Sequence, residues 1–173
     1  MLNLNTAEQQ HDDSHADTDA GPRIFLVVVD NSTEMRVALR FACMRALHTG
    51  GRVALLHVVE PAEFQHWLGV GNLMQQESRE EGEALLQRCA AEVMRLTGTP
   101  AIYYMRDGEY GEQLFDLIDE ESDISIVVLA ASTQQDGPGP IISHITNKGM
   151  STLRIPITIV PGTLTDDTIA AIA

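Results

Sequence analysis

Ile24-Phe25-Leu26-Val27-Val28-Val29, closed by Asp30, is the stretch that decides the fold. It is an unbroken apolar run, rich in β-branched residues, of strand length and far too short to span a membrane. A strand without polar alternation is buried on both faces, which is the condition of a parallel sheet covered by helices. The pattern recurs. Val53-Ala54-Leu55-Leu56-His57-Val58-Val59 ends at Glu60-Pro61, and Ile124 to Ala130 is again apolar throughout. Ala101 to Arg106 reads as a more polar strand, and Ile155 to Val160 as the last, stopped by Pro161-Gly162.

Helical patterns separate these runs. Asn31 is placed to cap the first helix, with Glu34 three residues on completing a capping-box-like arrangement. Ala38, Leu39, Phe41, Ala42, Cys43 and Ala46 form its apolar face, and Gly50-Gly51 stops it. Residues 62–76 read as a short irregular or helical piece containing Phe64, Trp67, Leu68 and two glycines. A long helix is expected from Gln75, with Leu85, Leu86, Cys89, Val93 and Leu96 at three- and four-residue spacing. A third helix carries Tyr110, Leu114, Leu117 and Ile118. A Gly/Pro loop then runs to Ile142, and a short helix is expected over His144 to Thr152.

Strands alternating with helices predict an α/β fold: a doubly wound five-stranded parallel sheet with helices on both faces. Ligands of such sheets sit beyond the carboxyl ends of the strands, where strand order reverses. A reversal between the first and fourth strands would set Asp30 opposite the loop that follows Ala130. Residues 1–22 hold little to bury and read as a disordered acidic tail, with His11 and His15 solvated. The domain is expected over 23–162, and 163–173 is a tail without an assigned role.

The 173 residues suit one domain, and 44% hydrophobic content is ordinary for a globular protein. With 11 Lys and Arg against 25 Asp and Glu, the formal charge of −14 repels nucleic-acid phosphates and anionic membranes. No nucleic-acid or membrane partner is expected. Cys43 and Cys89 fall on apolar helix faces and read as reduced core residues. No apolar run follows a basic N-terminal segment, so no signal peptide is expected, and the location is read as cytoplasmic.

The familiar catalytic signatures are missing from the chain. It contains no GxSxG and no HExxH. His57 lies within a buried strand and reads as a satisfied core histidine, His48 suits a helix C-terminus, and His66 lies beside Trp67. The carboxylate pairs Glu80-Glu81 and Asp119-Glu120-Glu121 read as solvated helix surface. A phosphoacceptor domain could use Asp107, but the acidic cluster after the first strand and the lysine after the last are absent. Asp30 to Met35 contains no glycine, which excludes the GxGxxG dinucleotide fingerprint. No metal site and no catalytic residue are expected, and the chain is read as a non-enzyme.

Taken together, Val27-Val28-Val29-Asp30-Asn31-Ser32, Leu55-Leu56-His57-Val58-Val59-Glu60, Ile126 to Ala130 and Ile155-Pro156-Ile157-Thr158-Ile159-Val160 resemble the universal stress protein family, over about Arg23 to Gly162. The resemblance implies the adenine nucleotide alpha hydrolase-like fold, a cytoplasmic location and a homodimer formed through the last strand, Ile155 to Val160. One branch of the family binds ATP through an aspartate after the first strand, backbone after the second, and a loop of pattern G-x2-G-x9-G-[ST]. Here Asp30 matches the aspartate and Val58 the adenine-side position, with Asn31 adjacent. In the loop, Ala130, Thr133 and Ser143 replace the three glycines, and His144, followed by Ile145, replaces the Ser/Thr. Gly137 and Gly139 stand elsewhere in the loop, in Gly137-Pro138-Gly139-Pro140.

Two readings follow. Either Gly137, Gly139 and nearby hydroxyls rebuild an anion site, so that ATP or AMP binds (with Mg if the ligand is ATP), or the loop is a stiff connector. The first makes the chain a regulatory, ligand-sensing module. The second makes it a dimeric protein-interaction module with no nucleotide. Slow ATP hydrolysis rests on family analogy alone.

Overall fold

The computed structural model describes residues 21–61, 70–134, 137–148 and 153–173. Its strands are β1 (Ile24–Val28), β2 (Arg52–Val59), β3 (Ile102–Asp107), β4 (Ile124–Ala131) and β5 (Ile157–Pro161). Its helices are α1 (Thr33–Thr49), α2 (Val70–Thr97), α3 (Tyr110–Glu120), α4 (Pro140–Lys148) and α5 (Asp166–Ile172). All strand pairs are parallel, in the order β3-β2-β1-β4-β5. The order reverses between β1 and β4, as the ligand-site reading requires.

The unbroken apolar runs follow from burial on two sides. Phe25, Val27 and Val29 pack with Ala38, Leu39, Ala42 and Cys43 of α1 and Leu85, Leu86, Cys89 and Val93 of α2. Ile24, Leu26 and Val28 point the other way, onto Leu114, Leu117 and Ile118 of α3 and Ile142 and Ile145 of α4. Burial of each such side chain contributes about 1.5–3 kcal/mol. The edge strands β3 and β5 are only partly buried, which accounts for the more polar sequence of β3.

Several element boundaries differ from expectation, four of them by more than a residue or in their cap. Helix α1 is capped by Ser32, whose hydroxyl accepts from the Met35 N–H, and not by Asn31. The fourth helix starts at Pro140, upstream of His144, because proline suits a first helical position where its missing N–H is not needed; the expected stretch 149–152 lies outside the described residues. Strand β5 begins after Pro156, which has no N–H to give the ladder. Helix α2 extends back to Val70. His11, His15, His66, Trp67 and the irregular segment at 62–69 lie outside the described residues.

The residues after 162 form α5, capped by Thr165 and anchored by the fully buried Ile169 against α1. Arg154, just before β5, donates to the carbonyls of Ile118 and Glu121, placing a cation at the C-terminal end of α3. Cys43 and Cys89 are free and buried, and burial pushes the Cys43 thiol up to about 12. Among the described residues no helix is long and apolar enough to cross a membrane.

Candidate functional site

The chain leaves β1 at the point where the sheet order reverses. Its exit is held in several ways. The Val29 carbonyl lies 2.8 Å from His57 Nδ1 and accepts from the Tyr110 hydroxyl at 3.3 Å. The Val29 N–H donates to the Leu56 carbonyl at 2.7 Å. His57 is thus the buried, partnered histidine its strand position predicts. Tyr110, at the start of α3, is pushed above its ordinary phenol value by burial. Beyond Val29, the Asp30 carboxylate accepts from the Ser32 N–H at 2.8 Å and the Ser32 hydroxyl at 2.5 Å. That local turn delivers Ser32 to cap α1.

Two cavities flank this exit. On the β2 side, about 440 Å³ is lined by Asn31, His57, Val58, Glu60, Arg88 and Tyr110, with Glu81 and Gly82 of α2. That volume falls within the range of small-molecule pockets. On the β4 side, about 170 Å³ is lined by Asp30, Ser32, Glu34 and Ala130, with Ser132, Gly139, Pro140, Ile141 and Ile142. A third cavity, of about 520 Å³, lies elsewhere, between α1 and α2 beside Asp166, and touches neither strand exit. The two strand-end cavities therefore mark the crevice, whatever their size.

The loop after β4 is tied to the chain itself. Its Ser132 N–H donates to the Pro138 carbonyl at 3.1 Å, and the Gln134 N–H to the Ser132 hydroxyl at 3.2 Å. Between them, Thr133 gives both its N–H (2.8 Å) and its hydroxyl (2.6 Å) to one oxygen of Glu34. The Thr33 hydroxyl donates to the other Glu34 oxygen at 3.0 Å. The Thr133 hydroxyl and N–H are the main reason the buried Glu34 carboxyl is held well below its ordinary value, at about 2. Glu34 is thus not the reciprocal partner in a capping box. Its side chain crosses to the loop, and Gly162 makes room for it, since a Cβ there would lie 2.5 Å from Glu34 Cγ and 2.5 Å from the Ala131 carbonyl oxygen.

The expected site residues separate into three groups. Asp30, Ala130 and Gly139 line the smaller cavity, and Asn31 and Val58 line the larger. Thr133 lines neither cavity and is engaged with Glu34. Gly137 and Gly139 adopt φ of 111° and 107°, so these glycines serve the turn in which they alternate with Pro138 and Pro140. The third group turns away. Ser143 lies inside α4, where its N–H donates to Gly139, and Ile145 is core. The His144 ring packs against Gly111 and Phe115 of α3, and its Nε2 is buried with no hydrogen-bond partner among the described residues. Glu34 and Tyr110 are the contributors that the sequence reading missed. The cue for Glu34 was a second carboxylate in the turn that leaves β1.

The family model described as "Universal stress protein family" matches residues 22–161. Among solved structures, universal stress protein UspA from Lactobacillus plantarum is 14% identical, with 80% of this chain and 97% of that chain covered and a TM-score of 0.69. A universal stress protein family protein from Arabidopsis thaliana with AMP bound is 13% identical, covering 81% and 92%, with a TM-score of 0.59. The universal stress protein from Archaeoglobus fulgidus in complex with dAMP is 18% identical, covering 82% and 98%, with a TM-score of 0.56. At these identities the likeness speaks for the fold. A search of curated protein sequences found no match.

Proposed function

The chain belongs to the universal stress protein family, and on that footing we propose that it is a ligand-sensing module, without catalytic activity, that holds an adenine nucleotide where β1 and β4 part. The observation that carries this reading is the pair of cavities meeting at consecutive residues, Asp30 lining one and Asn31 the other. The larger, beside Val58, has room for a base, with His57 and Tyr110 behind it. The smaller opens beside the first turn of α4, whose N–H groups and dipole favour an anionic substituent. The relatives from Arabidopsis thaliana and Archaeoglobus fulgidus, bound to AMP and dAMP, support the ligand class.

The module works as a homodimer in this proposal. Among the described residues strand β5 pairs with β4 alone and leaves its other edge open, with Ile159 exposed. An open edge of this kind is a template for a second strand. Light scattering reads the dimer directly, and a monomer at micromolar concentration would refute it. For the ligand, calorimetry with adenosine, AMP and ATP is expected to give saturable binding that weakens on Asp30→Ala. Silence across the whole panel would end the nucleotide reading.

A further inference from the structure

Thr133 presents an N–H and an O–H, 2.8 and 2.6 Å from the same oxygen of Glu34. Two convergent donors of this kind form an anion receptor, and the Glu34 it holds lines one cavity with Pro140, Ile141 and Ile142 of α4. The receptor is already filled by an anion from the same chain. The flanking amides of Ser132 and Gln134 are also taken, by Pro138 and by the Ser132 hydroxyl. Glu34 is buried and held from behind by Thr33. Asp30 lines the same cavity, so a phosphate chain too long to be paired by the first turn of α4 meets two carboxylates.

We propose that Glu34 is a built-in pseudo-ligand that occupies the anion receptor at Thr133 and limits the crevice to nucleosides and nucleoside monophosphates. Its nucleotide half deepens the proposed function and rests on it. The occupied receptor stands on the geometry alone. A short ligand keeps the Val58 cavity and the first turn of α4. A di- or triphosphate has to displace Glu34 from Thr133, or leave its terminal phosphates without donors among carboxylates. Like charges brought together in a confined site disfavour binding, and charge-assisted hydrogen bonds are the strong ones to give up.

The test separates the two halves. Inorganic pyrophosphate is titrated into the full chain while the Thr133 amide resonance is followed by NMR, in wild type, Glu34→Ala and Glu34→Gln. Wild type is expected to leave Thr133 unmoved, and Glu34→Ala to give a saturable shift, with apparent affinity at least tenfold above wild type. Glu34→Gln keeps the acceptor but not the charge, and is expected to fall between them. Should Glu34→Ala not fold, Glu34→Gln carries the test alone, with any saturable shift as support and none as refutation. A wild type that binds pyrophosphate at Thr133 as well as the variants do, or folded variants that never respond, overturns the occupied receptor.

Calorimetry then compares AMP with ATP. Wild type is expected to prefer AMP at least tenfold, with the preference falling at least fivefold in Glu34→Ala. An unchanged preference overturns the selectivity. Absence of all nucleotide binding, with the pyrophosphate response intact, refutes the proposed function and the selectivity but leaves the occupied receptor standing.

Discussion

Gly162→Ala probes the packing that holds Glu34 on the loop. A Cβ at 162 would lie 2.5 Å from the Ala131 carbonyl oxygen, 2.5 Å from Glu34 Cγ and 3.1 Å from Thr133 Cγ2. The Ala131 carbonyl belongs to β4 and cannot swing away. Forcing one methyl group into such a site costs about 1–3 kcal/mol. Gly162 has no positive φ, so alanine also removes disorder from the unfolded chain, which restores about 0.4–1 kcal/mol. Taken at their midpoints, these leave a net loss of about 1.3 kcal/mol. At about 2–4 °C per kcal/mol for a chain of this size, Tm falls by about 3–5 °C. Thermal and urea melts followed by circular dichroism measure the loss. Gly21→Ala, with open space around it and no positive φ, is the control. The Thr133 amide resonance should also move, because the methyl group pushes on Glu34. A Gly162→Ala protein within about 0.5 kcal/mol of the control, with Thr133 unmoved, would show that this packing does not constrain Glu34.

Three further expectations follow from side-chain surroundings. The folded Glu34 carboxyl is held at about 2 against an ordinary 4.5, so its ionised form adds stability that is fully present above 4.5 and is lost as pH falls toward 2; the stability difference between wild type and Glu34→Gln should close over that window, and a difference that widens on acidification would contradict it. Gly111→Ala drives a methyl group into the His144 ring, so His144→Ala should relieve it, with a favourable coupling of about 0.5–3 kcal/mol in a double-mutant cycle; strict additivity would place the ring elsewhere. Both cysteine thiols are buried and raised above their ordinary value, so iodoacetamide at pH 8 should label them in urea and spare them in the native protein, as read by intact mass.

The parts of the fold that could be read from the chain are those where one stretch meets its whole environment at once. The apolar runs of β1, β2 and β4 record burial on both faces, and the alternation of elements led to the parallel sheet and to Asp30 at its reversal. What escaped depended on distant partners. Glu34 carries a local capping signal at the right spacing, yet its side chain answers to Thr133, 99 residues away in sequence. His144 falls at a loop position by spacing, but a helix that begins at Pro140 turns its ring onto Gly111 of α3, and it lines neither crevice cavity. Helix α5 is short and gains its anchor only by burying Ile169 against α1, which no local period announces. The Val29 carbonyl gathers donors from β2 and α3, a convergence invisible along either segment.

The central position of β1 has a consequence for how the molecule comes apart. Every residue of β1 is buried and the strand has a neighbour on each side, whereas β3 and β5 have one neighbour each among the described residues and are only partly covered. Opening events begin where few contacts must be broken, so the sheet frays from both rims inward. Amide protons of β3 and β5 then exchange with solvent through small local fluctuations, while those of β1 wait for the global opening. The crevice wall at Asp30 is built on the strand that gives way last, and it keeps its shape while either rim is already loose.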